Sequence, residues 1–212
     1  MQANLPKQYL MLGGRCVVEY TLECLLSHPR IDQVIIALHP HDNRFIDLEI
    51  ASHPRLRTVT GGDERADSVQ AGLAAIDDPN ALVLVHDAAR PCLQHRDIDA
   101  LLDVLHTHPA ALLARAASDT VKLAVAEQVA QTLPREQIWL AQTPQASSWQ
   151  QLQHALTQAK QAGVAVTDEA SALEYANIPV TLVAGHSHNI KITHPDDLAL
   201  ARFYLTEQGR FA

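Results

Sequence analysis

Cysteine is scarce in this 212-residue chain. Cys16, Cys24 and Cys92 are odd in number and form no C-x-x-C pair, which excludes a disulfide framework and a cysteine-based zinc knuckle. No apolar run approaches the ~20 residues of a membrane-spanning helix, and the first residues do not read as a signal peptide. Positive charge is also short. Sixteen Lys and Arg stand against 24 Asp and Glu, a net charge of −8, so no nucleic-acid-binding surface is indicated. Familiar catalytic spacings are missing too: there is no Ser-His-Asp or Cys-His arrangement and no G-x-x-x-x-G-K-[ST] loop. These absences suit a cytoplasmic protein with neither membrane nor nucleic acid as partner.

Apolar residues make up 47% of the chain, enough for one domain over residues 1–212 with a full core. An acidic protein of this kind binds anionic small molecules only by concentrating Lys and Arg locally. Histidine is abundant, twelve in all, with three His-x-His pairs at His39/His41, His106/His108 and His186/His188. Two ring nitrogens at that spacing converge only from one face of a strand. Pro40 interrupts the first pair and the second closes a helical pattern. Zinc sites bring three or four ligands together, so no metal ligand is assigned from a pair alone.

The chain is organised around residues 81–91, ALVLVHDAARP. The apolar run 81–85 predicts a strand buried on both faces. It breaks into His86-Asp87-Ala88-Ala89-Arg90, an acid and a base three residues apart at a strand's C-terminal end, where open α/β sheets bind ligands. Apolar spacing predicts an amphipathic helix from Val18 and a strand over 33–38. A short helix over 43–50 and a strand over 56–60 follow. Gly61-Gly62-Asp63 comes next, with Asp63 as the expected N-cap of a helix carrying Arg65 and Ser68. Such a junction offers backbone N–H groups to an anion or polar ligand. A helix from 98 and a strand over 111–114 complete an alternation that predicts an α/β fold. It is Rossmann-like, a mainly parallel sheet with helices on both faces.

Residues 116–135 break that rhythm. Two short strand-like pieces around Ala-Glu read as a β-hairpin with too few large apolar residues to bury itself, hence an arm for a dimer contact. A strand over 138–141, a turn over 142–145 and a long helix from Trp149 follow. A helix then opens at 167–171, strands lie over 179–183 and 189–193, and a last helix covers 196–205. Gly62, Asp63, Asp87, Arg90, Thr167 and Lys191 all fall at the C-terminal ends of strands. With Lys7 and Arg135 they supply two lysines and two arginines suited to phosphate groups, which points to phosphoryl or nucleotidyl transfer or to nucleotide binding.

Six segments, Pro6-Lys7-Gln8-Tyr9, Gly61-Gly62 with Arg65 and Ser68, His86 to Pro91, Gln142-Thr143-Pro144-Gln145, Thr167-Asp168-Glu169-Ala170-Ser171 and Asn189-Ile190-Lys191-Ile192-Thr193, occur in that order. Together they resemble the 2-C-methyl-D-erythritol 4-phosphate cytidylyltransferases of the non-mevalonate isoprenoid pathway, from residue 1 to about 205. The resemblance implies the residue roles. Gly61, Gly62, Asp63, Ser68 and Ala88 would hold CTP. Lys7 would stabilise the α-phosphate, with Lys191 and Arg135 as the other catalytic cations. Asp87, Arg90, Thr120, Arg135, Thr167 and Lys191 would bind methylerythritol phosphate, Thr120 and Arg135 reaching into a partner's site in a homodimer joined through 116–135. Mg²⁺ would be held mainly by the CTP phosphates. The family pattern opens with a hydrophobic strand and a glycine-rich loop ending in Arg-Met; here the pattern is taken up at what looks like that Met, Met1, and Leu133-Pro134 stand where the family usually has Val-Asp. Two alternatives stay open at this point. One is a ribitol-5-phosphate cytidylyltransferase, against which the run 168–174, DEASALE, speaks. The other is a non-catalytic nucleotide-binding protein that lost its loop.

Overall fold

The computed structural model describes residues 5–211, so Met1 lies outside the described residues. A small hairpin, β1 (Met11–Leu12) and β2 (Arg15–Cys16), turns at Gly13, whose φ of 70° suits glycine. It leads into α1 (Val17–Ser27), which buries Val18, Leu22 and Leu26. The parallel pair β3 (Val34–Leu38) and β4 (Leu56–Thr60) follows, then α2 (Arg65–Ala74) and β5 (Leu82–Val85). After α3 (His95–Val104) come β6 (Ala110–Ala116), β7 (Val121–Val125), β8 (Gln128–Leu133) and β9 (Trp139–Ser148). The chain ends with α4 (Trp149–Gln161), α5 (Glu169–Tyr175), β10 (Val180–Ala184) and α6 (Asp196–Glu207).

The fold is α/β, but its central sheet is mixed rather than mainly parallel. The order is β10-β6-β9-β5, with β10 parallel to β6 and β9 antiparallel to both its neighbours. The cause is β9, which was expected to end in a turn at 142–145. It instead runs on through Pro144 as a ten-residue strand. Its ladder to β6 shifts register between Leu112 and Ala114, which accommodates the proline that cannot donate. Residues 189–193 are not a strand: Ile192 donates its N–H to Ala89 O at 2.8 Å, so this segment is bonded to the loop after β5. The expected helix over 43–50 is two 3-10 turns, Phe45–Asp47 and Glu49–Ser52. Asp42 Oδ1 accepts the N–H groups of Arg44 and Phe45 ahead of the first.

The core lies between the sheet and its helices. Leu101, Ile98 and Leu113 are fully buried on one side, and Leu73, Leu152 and Leu173 on the other. Cys16, Cys24 and Cys92 are all buried and free. One expectation fails visibly: β5 is not buried on both faces. Leu82 is 49% exposed, and among the described residues β5 pairs with β9 alone, its other edge unpaired. That edge and the outer edge of β3 border a cavity of about 860 Å³ roofed and floored by α1 and α2. Its walls include Ile35, Ala37, Val83, Val85, Leu22 and Val69. Strands in a sheet lie ≈ 4.7–4.9 Å apart, and this is a slot between two strand edges with a helix on each face.

Among the described residues β7 and β8 pair only with each other, and they form the expected hairpin. Ala126 and Glu127 take φ of 47° and 64°, the two positive values that a two-residue hairpin turn requires. Leu123, Val125 and Val129 are 48%, 66% and 64% exposed.

Candidate active site

Asp87 is the hub. It follows β5 directly, and its carboxylate is only 13% exposed. Oδ2 accepts from Lys191 Nζ at 3.0 Å and from Arg90 Nε at 3.2 Å, while Arg65 Nε stands 3.7 Å from Oδ1. Burial pushes this acid up, but the hydrogen bond and charge of Lys191, then Arg90 and Arg65, outweigh it and hold Asp87 below the ordinary carboxylate range. Arg90 also donates to Asn189 O at 2.8 Å, so the 189–193 segment is clamped to the loop after β5.

The loop is fixed from beneath by an uncharged chain of bonds. His86 Nε2 lies 3.3 Å from Arg90 O, and its Nδ1 lies 2.9 Å from Thr143 Oγ1, which accepts the Asp87 N–H at 3.1 Å. Only a carbonyl faces Nε2, so the proton belongs there and Nδ1 accepts from Thr143. Burial lowers the His86 pKa to about 4, so the ring is neutral at physiological pH.

Arg65 spans to a second support. Its guanidinium meets Glu169 in a two-pronged pair at 2.5 and 2.9 Å, and Glu169 is 1% exposed. The neighbouring Asp168 caps α5 by accepting from Ser171 N–H and also takes a bond from Gln145 Nε2 at 2.9 Å. From the sequence Glu169 reads as a first-turn helix acid, and nothing local points to its partner Arg65, 104 residues away.

The glycine pair is built for close approach. Gly62 N–H donates to Ser68 Oγ at 3.2 Å, and a Cβ on Gly61 would sit 2.7 Å from the same oxygen. One on Gly62 would collide with Asp67. The expected N-cap moves by one residue: Glu64 precedes α2 without a side-chain cap bond, which leaves Asp63 exposed on the loop. Ser68, Arg65, Asp87 and Ala88 line the same cavity. Leu5 and Tyr9, on either side of Lys7, belong to the same hydrophobic cluster as Ala88, and Lys7 forms no ion pair with a described residue.

Three predicted residues make no hydrogen bond or ion pair with Asp87 among the described residues. Arg135 lies at the base of the hairpin, 54% exposed, and donates to Ser118 O at 3.0 Å. Thr120 is exposed on the same arm. Thr167 borders a separate hollow of about 300 Å³ with Trp139, Ala141 and Ser171. Altogether the described residues offer one carboxylate ringed by three cations, a glycine turn whose N–H groups are held by Leu38 O and Ser68 Oγ, and no side chain placed as a covalent nucleophile. That equipment suits positioning and charge stabilisation of phosphates.

Comparison with known proteins agrees. A family model described as 2-C-methyl-D-erythritol 4-phosphate cytidylyltransferase matches residues 1–207. The protein of that description from Shewanella halifaxensis is 49% identical over 207 residues, 97% of this chain and 90% of that one. The one from Mannheimia succiniciproducens is 50% identical over 209 residues, 98% of this chain and 91% of that one. The crystal structure of the Francisella tularensis enzyme superposes with a TM-score of 0.86 at 36% identity, covering 95% of this chain and 94% of that one.

Proposed function

This chain belongs to the 2-C-methyl-D-erythritol 4-phosphate cytidylyltransferase family, and from that premise we propose how its residues divide the work. The enzyme joins CTP to 2-C-methyl-D-erythritol 4-phosphate, giving 4-diphosphocytidyl-2-C-methyl-D-erythritol and pyrophosphate. A phosphate oxygen of the acceptor attacks the α-phosphorus of CTP. The bond from that phosphorus to the bridging oxygen breaks, and pyrophosphate leaves with its electron pair.

Gly61, Gly62, Asp63, Ser68 and Ala88 hold the nucleotide, and the glycine turn is what lets its backbone approach. Lys7 meets the charge that builds on the α-phosphate. Asp87, Arg90, Thr167 and Lys191 hold the acceptor, Asp87 as the counter-charge that keeps Arg90, Lys191 and Arg65 from repelling one another before substrate arrives. The observation that carries this reading is that triple pairing at Asp87, which lines one cavity with Arg65 and with Ser68, the partner of the Gly62 N–H. Members of the family generally use Mg²⁺. Asp87 is already occupied by cations, so the protein fits a metal that arrives on the triphosphate. When bound, it supplies charge neutralisation of the phosphates.

The exposed hairpin supports a homodimer through 116–135, in which Thr120 and Arg135 complete the neighbour's acceptor site. The slot between β3 and β5 supports a Rossmann-like sheet with room for one more strand between them. Residues 1–212 then form one nucleotidyltransferase domain with a β-arm, working in the cytoplasm. Among the described residues no helix is long and apolar enough to cross a membrane.

The test is pyrophosphate release with CTP and Mg²⁺, comparing methylerythritol phosphate with ribitol 5-phosphate as acceptor. Turnover is expected with the first. Equal or faster turnover with the second would overturn the acceptor assignment.

A further inference from the structure

Outside the Asp87 cluster, the third His-x-His pair gains a partner that the sequence hid. Asp97, 89 residues before His186, lies in the first turn of α3 with its side chain fully buried. His186 Nδ1 is 2.5 Å from Asp97 Oδ1, and His188 Nε2 is 3.8 Å from Oδ2. The three ligand atoms lie within 4.8 Å of one another. The two imidazoles stack with centroids 5.0 Å apart and 24° between planes. Asp97 Oδ2 also accepts the Gln94 N–H at 3.1 Å, which fixes the carboxylate.

The second observation is His188 itself. Its side chain is 12% exposed, and its Nε2 is buried without a hydrogen-bond partner while aimed at Asp97. A buried nitrogen left unpaired is unfavourable, and native structures leave few such groups without an occupant. Zinc takes nitrogen at 2.0–2.1 Å and carboxylate oxygen at 2.0–2.2 Å in tetrahedral order, which sets neighbouring donors roughly 3.3 Å apart. The observed spacings, 2.5 Å from His186 to Asp97 Oδ1 and 3.8 Å from His188 to Asp97 Oδ2, lie on either side of that value.

We propose that Asp97, His186 and His188 form a Zn²⁺ site with its fourth position open to water on the exposed His186 side. On binding, the metal replaces the proton between His186 and Asp97, and that ring proton moves from Nδ1 to Nε2. His188 turns its unpaired Nε2 to the ion. The single carboxylate leaves the site with a net charge of +1. The site ties α3 to the chain leading to Lys191, because His186 O accepts from Gln142 Nε2 at 3.1 Å and from Asn189 N–H at 3.1 Å.

The experiment uses the full chain, stripped with a chelator. Zn²⁺ is titrated against a chromophoric competitor, and Co²⁺ is added separately to read coordination by visible absorption. One Zn²⁺ per chain and tetrahedral Co²⁺ bands are expected. Zn²⁺ at about 100 times its Kd should raise Tm by roughly 5–10 °C. His188→Gln and His186→Gln should each weaken binding by more than about 10-fold and lose the Co²⁺ bands, a loss at least as large as that from altering a ligand's outer partner. A His39→Gln/His41→Gln control should change nothing. Absence of binding by the wild-type chain, or binding equal in wild type and His188→Gln, overturns the proposal. The wild-type melting shift needs no variant to fold and decides the matter alone if both variants are unstable.

Discussion

His86 shows how one residue sets the pH behaviour of the site. Its ring is neutral in the fold, with a pKa lowered to about 4 by burial, against ~6.5 in an unfolded chain. Between those values the unfolded state binds the extra proton. Stability is therefore fully present above about pH 6.5, falls as pH drops toward 4, and is level below that from this group. The shift corresponds to at most about 3 kcal/mol. Urea melts across pH 4–7 should show His86→Asn with a flatter slope than wild type; parallel slopes would remove His86 as the cause. Lys7 makes a kinetic prediction. Lys7→Ala should lower kcat by roughly 10²–10³ with little change in KM for CTP, because the cation acts on charge that exists only in the transition state. Steady-state kinetics decide it, and a weakened KM with intact kcat would mark Lys7 as a binding residue. Asp87 and Arg90 were legible from their place after an apolar strand. The His86–Thr143 chain was not, since its partners lie 57 residues apart and neither type is distinctive alone.

The hairpin is the element whose sequence and structure agree most closely. Its strands were readable from two short β-prone runs, and the positive φ at Ala126 and Glu127 confirms a two-residue turn without any glycine to announce it. Its exposed Leu123, Val125 and Val129 want cover that the single chain does not provide. If Arg135 serves the neighbour, mixing an Arg135→Ala chain with a Lys191→Ala chain, each inactive, should restore roughly a quarter of wild-type activity. Random pairing makes half the dimers hybrid, with one intact site in two. A dead mixture in which native mass spectrometry detects hybrids would end the shared-site idea. Elsewhere the element reading slipped where a proline intervened. Pro144 looked like a turn because prolines usually sit at strand ends, but the irregular ladder to β6 absorbs it. The 189–193 run has strand composition, yet its backbone groups are taken by Ala89 and His186, contacts that no local pattern encodes.

At the scale of the molecule, the alternation of strands and helices was legible as α/β, whereas the direction of β9 was not, because a strand following an antiparallel excursion carries no mark of its sense. The open slot is the larger finding. Two strand edges facing one cavity leave backbone donors and acceptors without ladder partners among the described residues, and the strand residues that face it are apolar. A chain extended ahead of Met1 by a strand and glycine-rich loop of the family pattern should turn over faster and melt several degrees higher, since even 2 kcal/mol shifts Tm by roughly 4–8 °C at this size. Equal melting and turnover in both forms would show that the slot takes no strand. The three buried thiols give this comparison a clock. Burial raises Cys24 to about 11 and Cys16 and Cys92 to about 12, so in the folded state almost no thiolate is available to an alkylating reagent. Labelling must then wait for the protein to open, and its rate counts openings rather than collisions. Because Cys16 precedes α1 and Cys24 lies within it, one wall of the slot, and Cys92 lies in the core beneath the loop after β5, modification mass spectrometry would time the opening of each region separately.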